Sequence, residues 1–150
     1  MIPLRRLFES HLTVARLERS MEFYEGVLGL ERAYTPSDVR AAFYWIGGRG
    51  ASMLGLWEVG PSPQRLSLRT AFEVDLADLL DAPQRLREAK VVPLDFWGKE
   101  SDEPVVLAWM PAAAVYFHDP DGNLLEYLTM LPDVPQPELG VVGWNRWQAR

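Results

Sequence analysis

Residues 116–131 decide the fold, and they read Tyr-Phe-His-Asp-Pro-Asp-Gly-Asn-Leu-Leu-Glu-Tyr-Leu-Thr-Met-Leu. Two apolar runs flank a polar cluster in which Pro120 fixes φ and Gly122 supplies a positive φ, so the stretch predicts a β-hairpin. Period-2 alternation on the returning strand places Glu126 on a face that it shares with two leucines. A carboxylate in an apolar strand is costly unless a cation, a hydrogen-bond donor or a metal meets it. The central question is therefore which group lies against Glu126.

The composition excludes several classes of protein. The chain has 150 residues and a formal net charge of −6, which argues against binding to a phosphate backbone. It has no cysteine, so disulfides, thiolate nucleophiles and cysteine metal sites are absent, as is typical of a reducing compartment. The sequence predicts neither a signal peptide nor a membrane span, because it shows neither the apolar core that the first needs nor the apolar run of about 20 residues that the second needs. We expect one cytoplasmic domain with no nucleic-acid or membrane partner.

Residues 7–60 predict a βαβββ module. An apolar stripe with helical spacing indicates a helix at about residues 17–28, and Gly29 is a natural residue to end it. The start of the helix is weakly signalled, because Arg16 stands where a capping side chain is expected. The predicted strands lie at about residues 7–15, 30–35, 40–46 and 52–58.

The same pattern recurs over residues 66–131. A helix is predicted at about residues 78–90, with Asp78 as its N-cap. The strands are predicted at about 66–74, 91–96, 113–117 and 124–131, with an additional strand possible at 105–109. The long connection at 97–112 is of a length that is usually functional or interface-forming.

Each strand must bury one face, and each module has one helix to cover its outer face, so the inner faces are expected to form a concave cup. A proline-rich tail at 132–150 follows, and we expect its Trp144 and Trp147 to pack on the surface or on a partner subunit. The remaining aromatic residues are expected to be ordinary core residues: Phe43, Trp45, Trp57, Phe96, Trp97 and Trp109.

This layout resembles the vicinal oxygen chelate superfamily, which includes glyoxalases, bleomycin-resistance proteins and extradiol dioxygenases. The resemblance covers residues 7–131 and rests on the strand and helix at 11–30, the segment at 71–74 and the hairpin at 117–126. It implies an α+β fold class with two βαβββ modules that form a cup-shaped mixed sheet. It also implies a homodimer and a small-molecule ligand or substrate.

The resemblance further implies one divalent metal in the cup. His11 matches the histidine of the first module and Glu126 matches the glutamate of the second, and both are sound ligands for Zn, Mn, Fe or Ni. Gly55 falls where glyoxalases carry a fourth ligand. Arg69 falls where the family usually has its second histidine, and an arginine cannot ligate a metal because it has no acceptor and does not deprotonate. A guanidinium facing Glu126 instead predicts an ion pair.

Three functions are consistent with these residues. The first is a metal-independent binder of a small organic ligand, with Arg69 on an anionic group and with Met53 and Trp57, which share the strand face of Gly55, as ligand contacts. The second is a metal-dependent lyase or extradiol-type dioxygenase that uses His11 and Glu126. The third is a metal-free enzyme in which Glu126 or His11 is the catalytic general base.

Overall fold

The computed structural model describes residues 7–59 and 69–150. The chain divides into two compact units. The first contains the described residues of Met1–Leu68 together with the turn Asp119–Asn123, and the second contains Arg69–His118 and Leu124–Arg150. Each unit has its own mixed sheet and helices, as the α+β prediction requires. No helix in the described ranges is long and apolar enough to cross a membrane.

The first unit has a four-stranded sheet with the order β1-β4-β3-β2. Strand β1 runs parallel to β4, and the other neighbours are antiparallel. The observed elements agree with the predicted ones to within a few residues. They are β1 (Glu9–Val14), α1 (Leu17–Gly26), β2 (Glu31–Tyr34), β3 (Ala41–Ile46) and β4 (Ser52–Glu58).

Helix α1 packs against β3 and β4. Its Tyr24 is fully buried and stacks on Tyr44, with the ring centroids 6.2 Å apart. Arg16 provides no capping side chain at the start of α1, as predicted. A residue distant in sequence does so instead, because the carboxylate of Glu58 accepts a hydrogen bond from the backbone N–H of Leu17 at 2.6 Å. A negative charge there also opposes the positive end of the helix dipole. The lowered pKa of Glu58 follows from its hydrogen bonds with Arg40 and with the Leu17 N–H.

The second unit has a five-stranded sheet with the order β5-β8-β7-β6-β9. Strand β5 runs parallel to β8, and the remaining pairs are antiparallel. Its elements are β5 (Arg69–Glu73), α2 (Leu76–Glu88), β6 (Val105–Leu107), β7 (Ala112–His118), β8 (Leu124–Met130), β9 (Val141–Gly143) and α3 (Trp144–Gln148), with a 3₁₀ turn at Pro137–Leu139.

Two predictions about the second unit are wrong. Residues 91–96 do not form a strand, because only Leu94 is paired, in isolated bridges to Tyr116 and Glu100. The additional strand suggested at 105–109 is confirmed as β6 (Val105–Leu107), and it stands in place of the predicted strand at 91–96 as the second strand of the repeat. The N-cap position of α2 is held by Asp75 rather than Asp78, and Asp75 makes no side-chain capping bond. The carboxylate of Asp78 instead accepts a hydrogen bond from Arg85 at 2.9 Å. Residues 66–68 of the predicted first strand lie outside the described residues.

The tail at 132–150 is part of the second sheet, to which it adds one strand. Strand β9 pairs with β6, and helix α3 packs against both strands. Trp147 is 1% exposed, so the prediction of a surface position is wrong for this residue. Its buried indole anchors the tail through apolar contact area.

The turn between β7 and β8 packs within the first unit. One oxygen of Asp121 accepts the backbone N–H of Ala15 at 3.1 Å, and the other accepts the hydroxyl of Ser20 at 2.8 Å. Asp119 is 5% exposed and accepts the hydroxyl of Tyr24 at 2.9 Å. Asp121 therefore holds the first turn of α1 and Asp119 holds its last turn, and their role in the hairpin is structural.

Candidate functional site

The first unit presents His11 on one face of its sheet. In the registers of β1 with β4 and of β3 with β4, His11 and Phe43 both lie opposite Gly55. A Cβ atom at position 55 would lie 2.5 Å from Nδ1 of His11 and 3.1 Å from the ring of Phe43. The absence of a side chain at Gly55 therefore has a structural role, because it leaves room for the imidazole of His11.

The imidazole of His11 is held by Trp57. The indole N–H of Trp57 donates to Nδ1 of His11 at 2.6 Å, so Nδ1 carries the lone pair and the proton of the neutral ring is on Nε2. Nε2 lies 3.4 Å from a carboxylate oxygen of Glu9. In this arrangement one nitrogen is already an acceptor and the other is a donor, so neither offers a lone pair to a metal.

Met53 and Trp57 lie on the same face of β4 as Gly55, as the alternation predicted. Trp57 is 36% exposed and Met53 is half-buried. The ring of Trp57 lies edge-on to Phe43, with the centroids 5.8 Å apart. Their proposed role as ligand contacts requires accessible apolar surface, and these two residues provide it within the first unit.

In the second unit, Glu126 meets Arg69. Both Nε and Nη2 of Arg69 donate to Oε2 of Glu126, at 3.1 and 2.7 Å. The ion pair expected from the sequence is therefore present. The side chain of Glu126 is 2% exposed whereas that of Arg69 is 50% exposed, so the arginine lies between a buried carboxylate and solvent. The hydrogen bonds with Glu126 raise the pKa of Arg69 further above its usual range.

Tyr116 is a third member of this cluster that sequence reasoning missed. It lies opposite Glu126 in the β7–β8 register, and its hydroxyl accepts a hydrogen bond from Nη2 of Arg69 at 3.2 Å. The guanidinium carbon is 5.1 Å from the ring centroid, within cation–π range. Burial, and then the charge of Glu126, raise the pKa of the Tyr116 hydroxyl. The hairpin register could have identified Tyr116, because the turn residues determine which residues face each other.

A cluster of exposed aromatic residues adjoins Tyr116. Phe96, Trp97 and Trp109 are 39%, 62% and 44% exposed, so the prediction that they are ordinary core residues is wrong, as it is for Trp57. Phe96 contacts the rings of all the others at centroid distances of 5.8 to 6.3 Å. Trp97 and Trp109 belong to the long connection at 97–112, and the length of that connection was the sequence signal for a functional segment.

The residues present do not fit the metal centre that the resemblance implies. Position 69 holds a cation that occupies the carboxylate of Glu126, and both nitrogens of His11 are engaged by Trp57 and Glu9. A guanidinium about 4 Å from a divalent ion would also repel it by roughly 8 kcal/mol at an effective dielectric constant near 20. Among the described residues, no group of three or more histidine, aspartate and glutamate side chains is arranged to hold a metal.

The chain matches a family model over residues 6–127, and that model describes the glyoxalase, bleomycin resistance protein and dioxygenase superfamily. The chain belongs to this superfamily. A solved integron cassette protein from the mobile metagenome of the Halifax Harbour sewage outfall is 31% identical. The match has a TM-score of 0.73 and covers 85% of this chain and 100% of the other.

Two further solved structures share the fold at lower identity. An integron cassette protein from the mobile metagenome of V. cholerae is 26% identical with a TM-score of 0.65, over 86% of this chain and 98% of that one. A lactoylglutathione lyase from Agrobacterium tumefaciens is 19% identical with a TM-score of 0.64, over 85% of this chain and 95% of that one. At that identity the lyase shows a shared fold and not a shared reaction.

Proposed function

We propose that this superfamily member binds a small organic ligand without a divalent metal, in the manner of the bleomycin-resistance branch. The observation that carries the proposal is the ion pair in which Arg69 places two N–H groups on one oxygen of Glu126. The residue that would be a metal ligand in related enzymes is here a permanent cation, and it neutralises the carboxylate that the metal would need.

Arg69 is suited to contact a ligand as well as Glu126. A guanidinium has five N–H donors, and the contacts with Glu126 and Tyr116 use only Nε and Nη2. No hydrogen bond from Nη1 to another described residue is present, and half of the side chain is exposed. In the first unit, Met53 and Trp57 provide separate apolar contacts for a ligand.

The test is a binding screen on metal-free protein. A small-molecule library would be measured by ligand-observed NMR after exhaustive treatment with a chelator, and repeated on R69K. We expect ligands that bind the chelated protein and bind R69K about tenfold more weakly, because lysine keeps the charge but loses the planar fork. Binding that appears only after a divalent metal is restored would reject the proposal.

A metal-dependent lyase or dioxygenase is the second candidate. One observation favours it: Oε1 of Glu126 is buried and has no hydrogen-bond partner among the described residues, so one carboxylate oxygen is unused. The test is the metal content of untagged protein after incubation with Zn, Mn, Fe and Ni salts. About one ion per chain that is lost in E126Q would establish this candidate, and Glu126 would then be a ligand along with His11.

Measuring the metal content of R69H tests whether Arg69 alone prevents metal binding. A histidine at position 69 removes the repelling cation and adds a nitrogen ligand beside Glu126. If R69H retains zinc that wild-type protein releases, the scaffold keeps a latent metal site and the arginine is what closes it. A metal-free enzyme with Glu126 or His11 as general base would be distinguished from a binder by turnover of the ligands found in the screen.

A homodimer in the cytoplasm is part of the proposal. Membership of the superfamily supports the dimer, and the absence of cysteine fits a reducing compartment. Light scattering coupled to size-exclusion chromatography would measure the mass, for which the single chain contributes 17.1 kDa.

A further inference from the structure

We propose that the ligand is a planar aromatic carboxylate, bound on the surface formed by Arg69, Phe96, Trp97 and Trp109, which we call the aromatic patch. This inference rests on the proposed function and specifies the chemical class of the ligand. All four residues belong to the second unit, and the buried Tyr116 lies beneath them, in contact with both Arg69 and Phe96.

The rings of the aromatic patch form a connected series. Phe96 is its centre, and its ring lies edge-to-face with Trp97, Trp109 and the buried Tyr116 at interplanar angles of 83°, 77° and 75°. Because each neighbour is nearly perpendicular to Phe96, an added planar ring can contact one ring by its face and another by its edge. Offset-stacked and edge-to-face contacts are the favoured geometries of aromatic pairs.

The exposed area of these rings requires an explanation. Trp97 is 62% exposed and Trp109 is 44% exposed, although each is a large apolar side chain. Single exposed apolar residues are ordinary, but a contiguous exposed group marks a binding surface. A bound aromatic ring would remove part of this apolar surface from water, which favours binding.

The segment that carries Phe96 and Trp97 is held in place before any ligand binds. One oxygen of Asp95 accepts the backbone N–H groups of Trp97 and Lys99, both at 2.8 Å. The backbone N–H of Asp95 donates to the carbonyl of Lys99 at 2.7 Å, and Gly98 has the positive φ of 77° that this tight turn requires. A fixed turn lowers the entropic cost of ordering the side chains on binding.

The turn that carries Trp109 is held by the tail. The backbone N–H of Ala108 donates to the carbonyl of Gly140 at 2.9 Å, and the N–H of Gln136 donates to the carbonyl of Ala108 at 2.8 Å. The segment at 132–150 thus has a role in positioning one wall of the aromatic patch. It does so through backbone hydrogen bonds, which do not depend on side-chain identity.

Arg69 determines the polar part of the ligand. The pair of Arg69 and Glu126 has no net charge, so it does not attract an anion over a long distance. It offers directed donors at short range instead, and a carboxylate accepts such donors in a plane that matches the guanidinium. Because the guanidinium also lies over Tyr116, a carboxylate bound to Arg69 would leave its attached ring beside the aromatic patch.

The experiment uses 1-naphthoate as the probe, with the full-length, chelator-treated protein. Binding would be measured by ¹⁵N NMR of the tryptophan indole groups, with the Trp97 and Trp109 signals assigned through W97F and W109F. The comparison ligands are 1-naphthalenemethanol, which keeps the rings but not the charge, and cyclohexanecarboxylate, which keeps the charge but not the rings. We expect 1-naphthoate to bind about tenfold more tightly than either one.

Two variants test the aromatic and the charged contacts separately. W109L should weaken 1-naphthoate and 1-naphthalenemethanol alike. The double variant R69M/E126Q removes both charges, so no buried charge is left unpaired, and it should weaken 1-naphthoate about tenfold while leaving 1-naphthalenemethanol unchanged. R85M is the matched control, since Arg85 lies on α2 and pairs there with Asp78 and Asp81; it should change neither affinity.

Two results would overturn the inference. Equal affinity for 1-naphthoate and cyclohexanecarboxylate would show that the rings do not recognise the ligand, and the proposed function would stand if the library screen had found other ligands. Failure of all three ligands, together with a dimer that W109L dissociates, would assign the aromatic patch to a second copy of the chain. Absence of any ligand in the library screen would instead reject the proposed function itself.

Discussion

In the first unit, a half-exposed histidine is held by a neutral indole donor, whereas in the second unit a nearly fully buried glutamate is held by an arginine. Both His11 and Glu126 are the residue types that the superfamily uses to bind a metal. The cost of releasing them differs, because a neutral hydrogen bond near water contributes about 1 kcal/mol whereas a buried carboxylate without its partner is strongly destabilising.

The two residues also differ in how readily their lone pairs could be released. Rotation of Trp57 away from His11 would expose a nitrogen lone pair at small cost, since the imidazole is already 44% exposed. No comparable motion frees Glu126, because removal of Arg69 would leave a charge at a position that is 2% exposed. The contact with Arg69 therefore holds Glu126 more firmly than the contact with Trp57 holds His11.

The largest expected effect is that of R69M, which removes the partner of Glu126. Breaking a fully buried pair costs about 3–5 kcal/mol, and we expect about 2–3 kcal/mol here because half of Arg69 is in solvent and the pair is partly screened. Urea unfolding would measure the free energy. The double variant R69M/E126Q should recover at least about half of the loss.

The control for R69M is R85M, whose exposed ion pairs on α2 should contribute less than about 1 kcal/mol. If R69M and R85M lose the same stability, the pair of Arg69 and Glu126 is not the buried structural element that distinguishes the second unit. The comparison between the units would then lose its energetic basis.

A smaller effect is expected for G55A in the first unit. The new methyl group would lie 2.5 Å from Nδ1 of His11, so the imidazole must move away from Trp57, at a cost of about 1–2 kcal/mol. The indole N–H signal of Trp57 should shift toward that of a solvent-exposed group in ¹⁵N NMR.

G26A is the matched control, because a Cβ at Gly26 in α1 meets no atom within 4 Å. It should be neutral or stabilising, as expected for alanine in place of glycine in a helix. An unchanged Trp57 signal in G55A would mean that Gly55 is not what allows the imidazole to sit where it does.

W57F tests the tautomer of His11 directly. Without the indole donor, Nδ1 loses its hydrogen bond, at a cost of about 0.5–1.5 kcal/mol. The ring should then populate both neutral tautomers, which the ¹⁵N shifts of the imidazole report. W45F serves as the control, since it makes the same substitution on β3. A single tautomer that persists in W57F would assign the orientation of His11 to Glu9 instead.

The smallest effect concerns how the two helices begin. Glu58 accepts the Leu17 N–H at the start of α1, whereas Asp75, the N-cap of α2, makes no side-chain capping bond. The pKa of Glu58 is lower in the folded protein than the ordinary value of 4.5. Its contribution to stability is therefore present above pH 4.5 and is lost as the pH falls through the folded pKa.

Thermal unfolding across that pH range would check this expectation. E58Q should lower the melting temperature above pH 4.5 and reduce its decrease in acid, while D75N should leave the pH profile closer to that of wild-type protein. Parallel profiles for E58Q and wild-type protein would show that the carboxylate of Glu58 does not stabilise the start of α1.

The sequence predicted the local elements well where apolar periodicity and turn residues agree. Strands β1, β3 and β4 and helix α1 lie close to their predicted ranges, because alternation and helical spacing are local signals. The prediction failed at residues 91–96, where an extended segment makes only isolated bridges, and at Asp78, where the acidic residue pairs with Arg85 instead of capping α2. Both outcomes depend on contacts that local sequence patterns do not reveal.

For the candidate site, the sequence by itself determined which residue types face each other. The alternation placed Glu126 on one strand face, and the arginine at position 69 predicted its ion pair. Only the tertiary structure decided what surrounds them. The hydrogen bond from Trp57 to His11, the space left by Gly55 and the exposure of the aromatic patch each depend on which strands pair and in which register. Side-chain periodicity is a local property of the chain, whereas register and exposure are set by distant segments that meet only in the folded protein.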